Sequence, residues 1–251
     1  MKEMNTLLFG NNHKHLSSFV SEYSLVFLLI NKLDLYVGIH KGQRRKFSEI
    51  MMKAGSIDYS NKESLEALHS ELTLFANHMR LHASLEERFI HPVLSERLPG
   101  GARELEEEHR IMHQYFDDLT SHLERIRTRS ASTEMLSELV LEFYRAWNRF
   151  IAFYFTHINK EEENIQPMLW KICTADELVG IFRTILSSQN PDELKYDFQL
   201  MLPAMNIFER AETLNAGKAS MPPQAFQGFL KLAENTLSPD EWTALKARIQ
   251  T

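Results

Sequence analysis

The chain has 251 residues, 43% of them hydrophobic, with net charge −6 and pI near 6.0, so it can bury a real core but offers no electrostatic case for nucleic acid. Its single cysteine, Cys173, excludes an internal disulfide framework and a cysteine-based metal cage. The N-terminus lacks the order of a signal peptide, and the most apolar run, SLVFLLI, falls well short of the roughly 20 residues of a membrane span; a cytoplasmic protein without membrane contact is expected.

Low glycine and proline content, few β-branched runs and abundant Leu, Glu, Met and Phe predict an all-α protein. The first helix is placed at about 20–53, where Leu33, Tyr36, Val37, Phe47, Ile50 and Met51 form an apolar stripe at helical spacing. After Ala54-Gly55-Ser56, a capping box of Ser60 with Glu63 opens a second helix at about 61–97. Pro99-Gly100-Gly101 separates it from a third helix at 102–128, and residues 128–132 lead into a fourth at 133–171. Short connections make neighbouring helices antiparallel, so residues 1–173 read as an up-down four-helix bundle with an N-terminal extension. Residues 174–251 read as an appendage of short helices packed on that bundle. They carry capping boxes at Thr174/Glu177 and Ser238/Glu241, and prolines at the first helical position at Pro191 and Pro239.

The second helix contains HASLEERFIHP at 82–92, and the fourth contains HINKEEENIQP at 157–167; the two match at His, Glu, Glu, Ile and Pro with identical spacing. His82 with Glu86, and His157 with Glu161, are four residues apart and so share a helix face; His109 and His113 repeat the spacing on the third helix. Buried imidazoles and carboxylates are costly unless compensated, and a divalent cation compensates both. Imidazole with carboxylate suits iron, manganese or zinc. A single such pair is usually a solvated surface feature; three consecutive helices each carrying one point to a site. The first helix offers His13, His15 and His40. His113 and His157 lie 44 residues apart across one hairpin, His40 and His82 lie 42 apart across the other, and His15 and His82 lie 67 apart. Depth in the bundle therefore selects His40, since 25 further residues would displace a ligand by roughly 37 Å.

Histidine on the first helix, HxxxE on the second, HxxxH on the third and His followed by a carboxylate on the fourth together resemble the hemerythrin, or HHE cation-binding, domain. The phrases IHKGQRRKF and ERFIHPVL resemble a bacterial branch of that family with a similar helical tail. The resemblance implies a non-haem diiron centre, with manganese or zinc as other candidates. One iron would take His109, His113 and His157, and the other His40 and His82, with an open position for O₂ or NO. Glu86 and a fourth-helix carboxylate would bridge the metals. Oxygen-carrying members place that carboxylate five residues after its histidine, here Glu162. The internal repeat favours four residues and hence Glu161, which is the choice made here.

His69, His78, His91 and His122 are expected to serve packing or the surface. Met51, Met52, Met79 and Met112 are expected to fill the core, and Tyr115, Tyr144 and Tyr154 to pack. A ferritin-like diiron site needs two Glu-x-x-His motifs, and this chain offers one, Glu106 to His109. The expected function is binding of O₂ or NO at a diiron centre, in sensing or in iron or oxidative-stress response, rather than enzymatic turnover. An oxidoreductase acting on peroxide or NO, and a helical interaction module with a regulatory metal and a protein or homo-oligomeric partner, are the rivals.

Overall fold

A computed structural model describes residues 33–128 and 133–249, which are almost entirely helical and contain no strand. Helices α1 (Val37–Ser56), α2 (Lys62–Phe89), α3 (His91–Arg97), α4 (Arg103–Thr128) and α5 (Thr133–Lys160) lead into a π-helical turn at Glu161–Ile165. Helices α6 (Gln166–Ile172), α7 (Ala175–Ser188), α8 (Pro191–Ala204), α9 (Ile207–Ser220), α10 (Pro223–Thr236) and α11 (Pro239–Lys246) follow. The part of the first predicted helix before residue 33, with His13 and His15, lies outside the described residues. The described chain divides into two compact units, one from Lys46 to Asn164 and the other made of residues up to Arg45 together with Ile165–Thr251.

The first unit is the all-α bundle that the sequence pattern predicts. Lys46–Ser56 of α1 with α2, α4 and α5 bury one continuous core that includes Leu72, Phe75, Met79, Met112, Phe116, Leu123, Trp147 and Phe150. Phe47 sits among aromatic rings, with centroids 4.8 Å from Phe75, 5.3 Å from Trp147 and 4.7 Å from Tyr154. Met79 and Met112 fill this core as expected, but Met52 does not: its side chain is 62% exposed. The α2 cap also differs from expectation. Ser60 is drawn to Asp58, and the Asn61 side chain accepts from the Ser64 N–H at 3.0 Å, so the helix starts one residue later.

Proline breaks both halves of the internal repeat, in two different ways. Pro92 has no N–H, and α2 ends at Phe89, with Ile90 as the joint before α3. Pro167 likewise cannot donate, and its ring would crowd the carbonyl of Glu163; here the helix widens into a π turn instead of ending.

In the second unit, Asp34 starts α1 by accepting from the N–H groups of Tyr36 and Val37 at 2.9 and 2.8 Å. The Gln166 side chain accepts from the Leu35 N–H at 2.8 Å and donates to the Leu33 carbonyl, which also accepts from Trp170 at 2.8 Å. Gly42 lies so close to α8 that a Cβ would stand 2.8 Å from the backbone carbon of Leu200. The C-terminal helices carry the expected capping boxes at Thr174 and Ser238, and others at Asn190 and Asn206. Leu202, Leu214, Phe226, Phe229, Leu232 and Leu245 form their core.

Candidate metal centre

Within the bundle unit, helical spacing delivers each histidine to a carboxylate. On α2, His82 Nε2 stands 3.1 Å from Glu86 Oε1, one turn on. The other oxygen of Glu86 lies 3.2 Å from Nε2 of His109 on α4. At the start of the π turn, Glu161 Oε1 lies 3.3 Å from His157 Nε2 and 4.0 Å from His109 Nε2. The result is an alternating series, His82–Glu86–His109–Glu161–His157, crossing three helices. All its members are buried except His82, which is 12% exposed at its side chain. Of the two glutamates weighed for the fourth helix, Glu161 is fully buried and Glu162 half-buried.

The outer ring nitrogens are held from behind. His109 Nδ1 lies 3.1 Å from Glu87 Oε1, and His157 Nδ1 lies 2.8 Å from Glu108 Oε2. Glu108 in turn pairs with Lys160, which also pairs with Glu104 at 2.6 Å. A histidine that donates from Nδ1 to a carboxylate keeps its Nε2 lone pair for another partner. Neither Glu86 oxygen nor His109 Nε2 has hydrogen-bond geometry with its neighbours, although the distances are those of ion pairs. Their lone pairs converge rather than pair off, which is the donor arrangement a cation needs.

The electrostatics agree. Burial alone would raise the Glu86 pKa, but the charges of His82 and His109 beside it hold it well below the usual carboxylate range. Burial would lower the His157 pKa, but Glu161 first and Glu108 next push it up to about 10. His78, one turn before His82, goes the other way: burial, helped by the His82 charge, pulls its pKa down to about 3. Tyr154 packs beside the His157 ring, with centroids 5.9 Å apart.

His113 and His40 complete the set of histidines expected at the metal. His113 is half-buried, one turn along α4 from His109, and burial followed by the Arg80 charge lowers its pKa. His40 is fully buried on α1, its ring 5.5 Å from Tyr36, and belongs to the other unit.

The structure also brings in a residue that the sequence reading left to packing. His91, just before Pro92, is 1% exposed, and its ring stacks on His109 at 5.2 Å with an interplanar angle of 20°. Burial lowers its pKa, although the Glu86 charge pulls the other way. Donor atoms of Glu86, His91, His109 and Glu161 all lie within 4.8 Å of one another. The signal was present in the repeat, where His91 matches Gln166, another buried polar residue directly before a proline. Glu87 and Glu108 were also missed. Each adjoins a site residue in sequence, yet each reaches the histidine of a different helix.

A family model described as the hemerythrin HHE cation binding domain matches residues 31–169. F-box/LRR-repeat protein 5 of Xenopus laevis is 21% identical over 188 residues, covering 73% of this chain and 26% of that protein. The chain thus spans about a quarter of the length of the curated relative it matches. No solved structure matches it.

Proposed function

The chain belongs to the hemerythrin HHE cation-binding family, and from that premise we propose that it holds two non-haem iron ions and binds O₂ or a related small ligand such as NO. One observation carries this reading: two buried carboxylates alternate with three imidazoles across α2, α4, α5 and the π turn that continues it, and the Glu86 oxygens and His109 Nε2 make no hydrogen bond that would satisfy them. Buried donors of this kind fit a divalent cation, and mixed imidazole and carboxylate suits iron, with manganese or zinc as substitutes.

In this reading His109, His113 and His157 serve one ion, His40 and His82 the other, and Glu86 and Glu161 bridge them. His40 enters through the sequence, being on the face of α1 that carries Phe47 seven residues later. Bound iron supplies a redox-active centre with a coordination position for the small ligand. Glu87 and Glu108 fix the tautomers of His109 and His157, so that each presents Nε2 inward. Tyr154, itself buried, packs against the His157 ring on the inner side of the bundle. The functional division proposed here is a metal-binding bundle through residue 173 followed by a helical appendage at 174–251.

Anaerobic purification with iron, metal analysis, and visible spectra before and after air form the test. Two irons per chain and a spectrum that oxygenates and reverses under vacuum are expected. Fewer than one tightly bound metal per chain would sink the proposal, and steady consumption of peroxide would favour an oxidoreductase.

A further inference from the structure

The geometry points to His91 as a metal ligand of this centre, bound to the same ion as His109; this rests on the metal-binding reading above. The repeat supplies the first argument. His91 and Gln166 hold equivalent places in the matched segments, each directly before the proline and each buried. Gln166 uses its amide, accepting from Leu35 and donating to Leu33. His91 has no such use: neither ring nitrogen makes a hydrogen bond, although the residue is 1% exposed. A buried polar side chain without a partner is uncommon enough to require a cause.

Position supplies the second argument. The break that Pro92 forces after Phe89 turns the chain at Ile90 and sets His91 beside His109, ring on ring. A regular helix would carry residue 91 away from the face of His82 and Glu86, because five residues past Glu86 is about 140° around the axis. The joint therefore recovers a donor that helical spacing would have discarded. Donors surrounding one ion at bond lengths of about 2.0–2.2 Å are at most about 4.4 Å apart, and Glu86, His91, His109 and Glu161, within 4.8 Å of one another, reach that span with a draw-in of no more than about 0.4 Å. Two imidazoles and two carboxylates of that span form a first-row metal site in which His91 is a full member.

Full-length protein prepared free of metal and titrated with Co(II) tests this, since the d–d spectrum reports the donors and the calorimetric isotherm the affinity. His91→Gln installs the residue that the matched segment already carries before its proline, and His91→Phe keeps the stack on His109 without a donor. Melting curves of the metal-free variants confirm that both fold. We expect both to weaken Co(II) binding by about tenfold or more and to change the d–d band. Unchanged affinity and spectrum in both, while His109→Gln loses binding, would overturn the assignment of His91. If His109→Gln and Glu86→Gln also bind as the parent does, the metal reading of the cluster fails, and His91 with it.

Discussion

Glu108→Gln isolates what lies behind a buried histidine. Glu108 Oε2 stands 2.8 Å from His157 Nδ1, and the same carboxylate is held by Lys160, which Glu104 holds in turn. The amide keeps the shape and an acceptor oxygen but removes the charge that orients His157 and strengthens its Nε2 as a donor. Losing such an outer carboxylate costs about 10–100-fold in metal affinity, or about 1.4–2.7 kcal/mol. At free metal about 1,000 times the parent Kd, binding stabilises the parent by about 4.1 kcal/mol and the variant by about 1.4–2.7 kcal/mol. For a chain of this size the metal-induced rise in Tm should shrink by about 3–10 °C. The metal-free proteins should differ by about 1–3 kcal/mol, because the buried His157 loses its charged partner although the amide still offers an acceptor. Calorimetric titration and melts at matched free Co(II) measure both quantities. An undiminished metal-induced gain, or an equal loss with and without metal, would refute the reasoning.

Glu86→Gln should abolish tight metal binding and lower metal-free stability at pH 7.5 by about 3 kcal/mol, since a buried carboxylate held ionised by its two histidine neighbours is removed from their side; an unchanged or more stable metal-free variant in urea melts would contradict this. Gly42→Ala should destabilise by about 1–3 kcal/mol in urea titrations, because its Cβ would meet the Leu200 backbone at 2.8 Å. Glu71 lies between Lys46 and Lys53, and although burial opposes it, their hydrogen bonds and charges lower its pKa from 4.5. A lowered folded pKa gives stability that is present above the unfolded value and lost as pH falls through the folded one. Glu71→Gln should therefore cost about 1 kcal/mol at pH 7 and little at pH 3, and a pH-independent difference in denaturant midpoints would argue against it.

Local rules carried much of the fold. Thr174 and Ser238 start helices because their side chains satisfy backbone donors nearby in sequence, and such contacts can be read without tertiary knowledge. The same holds for His82 with Glu86 and His157 with Glu161, whose four-residue spacing brings the atoms to 3.1 and 3.3 Å. What escaped was set by competition or by tertiary approach. Asn61 displaced Ser60 as a cap because Asp58 had already engaged the serine. The π turn at Glu161–Ile165 and the joint at Ile90 are two answers to the same missing N–H, and the sequence shows the cause without choosing between them. Glu87 and Glu108 escaped because each serves a histidine on another helix, and His91 because only the broken helix turns it toward His109.

The His157–Glu108–Lys160–Glu104 series has a consequence for any measurement of affinity. Glu104 is 74% exposed, so a line of ion pairs runs from a buried imidazole to the solvent. With its pKa pushed up to about 10, His157 carries a proton at neutral pH that must leave before Nε2 can accept a metal. A centre that takes up a cation as proposed would then release that proton on binding. Its apparent affinity climbs with pH, and the heat of titration changes with the ionisation enthalpy of the buffer that receives the displaced proton.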